Sequence, residues 1–463
     1  MMLGILASLT PESVEKFIGI EYYLTRGGGV GGVIKSSPED FQTWEQLVDG
    51  LDARFAYESW TGLREGFGDQ LLAVMWKRGV DTIRACTILA KQLRIRPAQI
   101  GVCGIKDKMS VSWQFITLPA WSTKPEGVEV GGVIRVLPIM HVGWRISSER
   151  LARNMFEIVI RGPSDGAEAA QGILEELRLR GVPNFYGHQR FGILRPITPI
   201  IGRLMIEGMI EEAVKAFLAE YSPLECSENR MARMRLLEDF DPVRALEYFP
   251  KTLRYERAIL RHLARRPGDY LGALRSIPLR LRRLLVESVS ALIFNKTLSR
   301  VIAEDLLGVV EIGDLVVRLD TFGRPEPGRP IMVSEANIQQ VERLISRGKL
   351  AVALPVPGYL SPIPRSRKGE ILLSILDEMG LEPNAFRLKI CPEASTRGSL
   401  RPIKITRWSC RISELDDGSI KLSMELPPGS YATILLRELM KPESPLAFIG
   451  GGNVNSREPR DIM

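Results

Sequence analysis

Strand-type alternation sits at both ends of this 463-residue chain, and helical periodicity fills the middle. That placement constrains the fold most. Either strands from both ends belong to one domain interrupted by an insertion, or two domains follow one another. On the N-terminal side, 33–41 reads as a strand and turn, and Asp69 to Val74 as a short strand. Val111 to Leu118 and Phe156 to Ile160 are further strand candidates. Asp81 to Leu93 reads as a helix with Ile83, Thr87, Ala90 and Leu93 near one face. A second amphipathic helix follows, capped by Asp165, with Ala170, Ile173, Leu174 and Leu177 on its apolar face and Gly181 at its end. On the C-terminal side, Trp408, Cys410 and Ile412 alternate with polar residues. Asp417-Gly418 supplies a turn, and Ile420, Leu422, Met424 and Leu426 alternate again, the pattern of a hairpin. The stretch from about Arg203 to Leu306 is mostly helical. Pro196 and Pro199 mark one edge of the middle region, and Pro355, Pro357, Pro362 and Pro364 the other. An insertion is the natural reading, because exposed loops tolerate one. Periodicity alone fits two consecutive domains equally well.

Several classes are excluded. Hydrophobic residues make up 45% and charged residues 25%, an ordinary globular balance and not that of a disordered chain. No apolar run approaches the ~18 residues of a membrane span. The first nine residues lack the basic region and cleavage site of a secretion signal, and Thr10-Pro11-Glu12-Ser13 reads as a helix start with Thr10 as cap. A cytoplasmic protein is expected. Five cysteines, none in a C-x-x-C pair, and three scattered histidines argue against a metal site and against Cys–His chemistry. Gly27, Gly29 and Gly32 match G-x-G-x-x-G, but an extended segment follows where a dinucleotide fold needs a helix. These glycines are expected to let the backbone run close to a neighbour, or to form a flexible turn.

The net charge of +7 is unevenly spread. Between Lys251 and Arg283 stand ten basic residues against Glu256 and Asp269, a local +8. This is either a solvated helix face paired with acids elsewhere or a phosphate-binding surface. Arginine predominates, which suits bidentate phosphate contacts.

Three segments carry candidate chemistry: Lys35-Ser36-Ser37-Pro38-Glu39-Asp40-Phe41, Gly104 through Gln114, and Gly181 through Gly192. Taken singly, the first reads as a turn with a buried Phe. Lys106-Asp107-Lys108 in the second reads as an exposed charged turn. The third sets Phe185, Tyr186 and Phe191 among Asn184, Gln189 and Arg190. It reads either as core packing or as a pocket for a splayed-out base.

Together, and in this order, they resemble the TruD family of tRNA pseudouridine synthases. Lys35 with Pro38 to Phe41 matches the family's first motif. Gly104 to Gln114 matches the segment around its essential aspartate, and Gly181 to Gly192 its N-x-[FY]-G-x-Q-R-F-G signature. Asn154 with Phe156, Ser290 to Asn295, Ile312 to Asp314, Leu354 to Gly358 and Leu426 to Leu439 extend the resemblance over nearly the whole chain. Phe217 to Arg275 is the exception.

The resemblance implies an α+β fold. A catalytic domain with a mixed or antiparallel sheet flanked by helices would span 1–205 and 386–463. An inserted α/β domain would span 206–385, enlarged by the basic helical region at about 217–275. It implies conversion of a uridine in tRNA to pseudouridine, most often at position 13, with no metal or cofactor and no obligatory protein partner. Asp107 matches the essential carboxylate. Lys35 is the expected cation beside it, since Lys106 and Lys108 on a strand would point away. Phe41 would wall the pocket, Tyr186 stack on the base and Asn184 sit beside it. Lys106, Arg190 and Phe191 complete the expected substrate-binding set. Arg261, Arg265, Arg266, Arg280, Arg282 and Arg283 are the expected phosphate contacts. Tyr186 replaces a more usual Phe, Met109 a common basic residue and Trp113 a usually polar one. Two other readings stay open: a non-catalytic tRNA-binding protein or chaperone, and isomerisation of a different uridine, such as an anticodon one.

Overall fold

The computed structural model describes residue 6 and residues 13–449. The helix start expected at Thr10 lies outside the described residues. The strands, numbered in chain order, are β1 Phe41–Leu47, β2 Gln70–Arg78, β3 Gly101–Val102, β4 Val111–Pro119, β5 Val128–Val130, β6 Ile134–Val142, β7 Leu151–Ile160, β8 Val182–Pro183, β9 Leu315–Arg318, β10 Ile331–Met332, β11 Leu350–Val356, β12 Ser399–Pro402, β13 Lys404–Ile405, β14 Ser409–Glu414 and β15 Ile420–Leu426.

A nine-stranded sheet runs in the order β14-β15-β7-β1-β4-β2-β6-β5, with β3 added beside β4. It is mixed: β1 and β4 are parallel, and its other pairs are antiparallel. The C-terminal hairpin joins strands from the N-terminal side through β15 and β7, with Leu422 opposite Ile158. Strands from both ends of the sequence therefore share one sheet. β9 to β12 form a second sheet in the order β10-β9-β11-β12, and β13 pairs with β8.

The hairpin follows its pattern. Gly418 takes the left-handed backbone of the turn (φ +77°), and Ile420, Leu422, Met424 and Leu426 are buried. Helix Ala167–Arg180 buries Ala170, Ile173, Leu174 and Leu177 as expected and ends at Gly181, at φ +90°. Its N-cap is Gly166 with no side-chain cap, not Asp165. Helix Thr82–Leu93 is capped by Asp81, which accepts from the Arg84 amide. The helix buries Thr82, Ala85, Leu89 and Ala90, with Leu93 packed against the same core. Of the expected face Ala90 and Leu93 hold, and Ile83 and Thr87 are exposed instead. The expected 33–41 strand is reduced to a bridge from Val33 to Arg161. Lys35 sits at φ +60° and Pro38 opens a 3₁₀ turn, so the strand proper begins at Phe41. The glycines make a close approach. A Cβ on Gly29 would lie 2.3 Å from the Met440 carbonyl oxygen, and Val30 and Gly31 donate to Leu439 and Met440.

The middle is helical: Thr198–Ile206, Ile210–Ala219, Ser227–Asp239, Pro242–Tyr248, Arg254–Arg265, Tyr270–Arg275 and the long Leu279–Ala303. These helices enclose their own apolar core, which includes Ile201, Phe217, Leu260 and Val286. The long helix also reaches the main core through Ala291, Phe294 and Leu298. Among the described residues, no helix is long and apolar enough to cross a membrane.

Candidate active site

Asp107 lies in the loop between β3 and β4, held where parallel neighbours β1 and β4 begin. The loop is clamped from beneath. The Lys106 amide donates to Thr82 Oγ1 at 2.8 Å, and that hydroxyl donates to Gln114 Oε1 at 2.7 Å. Gln114 Nε2 donates to the Gly104 carbonyl at 2.9 Å. The Asp107 carbonyl accepts from Ser110 Oγ at 2.8 Å and from Lys77 Nζ at 2.9 Å.

The Asp107 side chain is the part left open, at 34% exposure. Lys35 Nζ stands 2.5 Å from its Oδ2. Gln189 Nε2 donates to both carboxylate oxygens, at 2.8 and 2.7 Å. Burial would push this carboxyl up. The Lys35 charge, the hydrogen bonds from Lys35 and Gln189, and the charge of Lys77 outweigh it and hold the carboxyl below its ordinary value. Asp107 is therefore an anion near neutral pH. Lys35 is buried, and its ammonium lies 4.2 Å from the centre of the Phe41 ring. Phe41 meets Phe156 edge-on at 6.0 Å.

The Gly181 to Gly192 segment supplies the second wall. Its 3₁₀ turn His188–Arg190 carries Gln189 onto Asp107. Three residues earlier, the Tyr186 ring meets Phe294 and Tyr431 edge-on at 5.6 and 6.3 Å. Its main chain is pinned by Asn295: Oδ1 accepts from the Tyr186 amide at 2.8 Å and Nδ2 donates to its carbonyl at 3.0 Å. The Arg401 guanidinium lies 4.2 Å from the Tyr186 ring centre and binds Asn184 Oδ1 at 2.6 Å. Buried His188 faces Glu15 at 3.2 Å, and Arg437 binds the other Glu15 oxygen at 2.7 Å. Burial would raise the Glu15 carboxyl, but these two partners keep it low.

Lys35, Phe41 and Asp107 thus come together as the sequence suggests. Gln189 ties to them the segment that carries Tyr186 and Asn184, the latter buried and donating to the Pro402 carbonyl. Other expected residues are placed differently. Lys106 is turned into a buried network, its Nζ bound to Asn154 Oδ1 and 3.3 Å from Glu45 Oε1. Phe191 is fully buried in the core. Arg190 pairs with Glu287 at 2.8 Å, its guanidinium 5.7 Å from the Tyr186 ring centre. Gln189, Lys77 and Arg401 belong to the site but had no assigned role. Gln189 stood in a matched motif; nothing local marks Lys77 or Arg401.

The arginine-rich stretch divides. Arg282 is buried and shares Glu393 with Arg275, at 2.5 and 3.0 Å, and Arg283 donates to the Glu393 carbonyl. Arg261, Arg265, Arg266 and Arg280 are exposed and form no salt bridge among the described residues. No group of histidine, cysteine and carboxylate side chains suited to a metal ion occurs among the described residues.

Comparison with known proteins identifies the family. The family model described as tRNA pseudouridine synthase D (TruD) matches residues 17–439. A relative from Methanococcoides burtonii, named a probable tRNA pseudouridine synthase D, is 30% identical over 447 residues, spanning 93% of this chain and 98% of the relative. One of the same name from Pyrobaculum arsenaticum is 34% identical over 434 residues, spanning 93% and 97%. A crystal structure from Methanosarcina mazei, described as a putative tRNA pseudouridine synthase D, superposes with a TM-score of 0.75 at 29% identity, covering 94% of this chain and 99% of that one. With motifs, fold and full-length relatives in agreement, this chain belongs to the TruD family of tRNA pseudouridine synthases.

Proposed function

We propose that this protein converts uridine 13 of tRNA to pseudouridine, with Asp107 as the reacting carboxylate. The observation that carries the reading is Asp107 itself: a part-exposed anion held between Lys35 and Gln189, with Gln189 three residues from Tyr186 in the same segment. The reaction breaks N1–C1′ of the nucleoside, turns the base and forms C5–C1′. The C5 proton leaves to solvent, and N1 gains one. An ionised Asp107 serves either route to this outcome, attack on C1′ or removal of the 2′ proton to give a glycal. Extracting the uridine costs a few kcal/mol, and one aromatic contact offsets about 1–3 kcal/mol of it. Tyr186 supplies that contact and Phe41 walls the opposite side.

The reading extends to the rest of the chain. The strand-rich sequence at the two ends forms the catalytic domain and the stretch between them the insertion. The expected cuts at 205/206 and 385/386 move outward, because helix Thr198–Ile206 and residues 386–394 pack into the helical core and β12 pairs with β11. The exposed Arg261, Arg265, Arg266 and Arg280 meet tRNA phosphates.

The test is to incubate the protein with unmodified tRNA transcripts and map pseudouridine at nucleotide resolution. Wild type is expected to modify position 13, and Asp107→Ala to bind tRNA and form no product. Binding without product from wild type would overturn the enzymatic reading. Product at another position would overturn the site assignment alone.

A further inference from the structure

Lys77 is a lysine the chemistry above does not use. It lies on β2, fully buried. Its Nζ donates to two main-chain carbonyls, Val80 at 2.7 Å and Asp107 at 2.9 Å. Among the described residues no carboxylate lies within ion-pair distance of it. An ammonium in that position is expensive to bury, and mere filling of the sheet would be served by an apolar side chain. Of the two carbonyls it reaches, that of Asp107 belongs to the candidate site.

We propose that Lys77 is a positioning residue for the reaction: it fixes the Asp107 main chain so that the carboxylate meets Lys35 and Gln189, and its own charge tunes the reactivity of Asp107. The inference rests on Asp107 being the reacting carboxylate. Two arrangements support it. The Asp107 carbonyl is anchored twice, by Lys77 and by Ser110. The turn after β2 grips the same loop, since Gly79 donates to the Ser110 carbonyl and Thr82 to that of Lys106. β2 and its turn therefore hold the whole 106–110 loop, with Lys77 at its centre.

The charge on Lys77 is poised to change. Burial pushes its ammonium down to about 7, against the pull of Asp107 and Asp81. The groups that act on it are Asp107 on the loop, Asp81 at the start of the Thr82–Leu93 helix, Lys106, and Cys86 on that helix. Burial raises the Cys86 thiol to about 11, so it is neutral in this range. Below the Lys77 transition the ammonium draws on the Asp107 anion and lowers its reactivity. Above it, the neutral amine still donates to the carbonyl and the carboxylate is freer to react. The single-turnover rate is therefore expected to rise between about pH 6 and 8, on either side of that transition.

The experiment measures tRNA affinity and the single-turnover release of a C5 tritium label from tRNA, for native protein, Asp107→Ala, Lys77→Met, Lys77→Arg and Ser110→Ala. Lys77→Met is expected to keep tRNA affinity within about twofold, to lose up to about 10²-fold in rate, as misplacement of a reacting group does, and to lose the rise with pH. Lys77→Arg is expected to recover part of the rate, because it restores a donor, with no rise because it stays charged. Ser110→Ala removes the other anchor. It is expected to slow the reaction and keep the rise, and it carries the test if Lys77→Met fails to fold. Lys77→Met with native rate and native pH profile would overturn the inference while the active native enzyme upholds the function. So would a native profile flat across that pH range, or loss of the rise in Ser110→Ala. An inactive native protein, or an active Asp107→Ala, would overturn the function and the inference with it.

Discussion

At the residue scale, one carboxylate and its two side-chain partners, Lys35 and Gln189, form the centre of the candidate site. Asp107 is held below its ordinary value against burial, chiefly by Lys35. Its anion therefore contributes stability that is present above the unfolded carboxyl value of roughly 3.9 and is lost as pH falls through the lower folded value. Lys35→Met removes the largest opposing charge and leaves burial to dominate, so the Asp107 carboxyl rises. The acid limb of the single-turnover rate is expected to move to higher pH once the adjacent cation is gone. A pH–rate profile reads this directly, and an unmoved acid limb would refute the role of Lys35. The pairing of Lys35 with Asp107 could be anticipated, because both stood in recognisable motifs and the adjacent lysines pointed the wrong way. Gln189 had the motif and no assigned role. Arg401 lay beyond reach: it meets Asn184 across 217 positions, and no local pattern encodes such a pairing.

At the element scale, the long Leu279–Ala303 helix fixes the aromatic wall. Asn295 is fully buried on it and ties three main-chain groups: the Tyr186 amide and carbonyl, and the Ile18 carbonyl. Asn295→Ala leaves those groups unpaired, and each unsatisfied buried group costs about 1–3 kcal/mol. A destabilisation of roughly 2–5 kcal/mol is expected once partial relaxation is allowed for. Urea unfolding measures it, and a change below about 0.5 kcal/mol, the scale of an ordinary surface substitution, would refute the pinning role. Elements with clean periodicity were legible, the C-terminal hairpin and the 167–180 helix above all. The errors have physical causes. The 33–41 strand fails because Lys35 takes a left-handed backbone conformation to bring its ammonium to Asp107. Of the expected face of the Thr82–Leu93 helix, Ala90 and Leu93 hold, while Ile83 and Thr87 turn to solvent because Ala85 and Leu89 are the residues that pack into the core. β2 runs to Arg78, past the expected end at Val74, and the added length of strand carries Lys77.

At the scale of the whole molecule, strands from both ends build the sheet that holds Asp107, and the helices between them carry the surplus charge. The net +8 of Lys251 to Arg283 is not all available to a ligand. Arg275 and Arg282 converge on Glu393, and Arg257 donates to the Leu246 and Phe249 carbonyls. These three hold the region together. Arg261 and Arg265 lie four apart on the outer face of one helix, with Arg266 just beyond its end. A polyanion would meet these three, since exposed arginines that form no salt bridge among the described residues offer their guanidinium groups to phosphate. The triple change Arg261→Glu, Arg265→Glu, Arg266→Glu is therefore expected to weaken tRNA binding and to flatten its dependence on salt. Each phosphate left without its arginine lowers the slope of log K against log salt by roughly 0.7–0.9, so three such phosphates lower it by about 2–3. The chemical step at saturating tRNA should stay near the native rate, because none of the three touches the Asp107 pocket. Filter binding between about 50 and 200 mM salt, a range wide enough to expose such slopes, decides the matter. An unchanged slope would return these arginines to an ordinary solvated face, and leave the enlarged helical region without a part in holding the substrate.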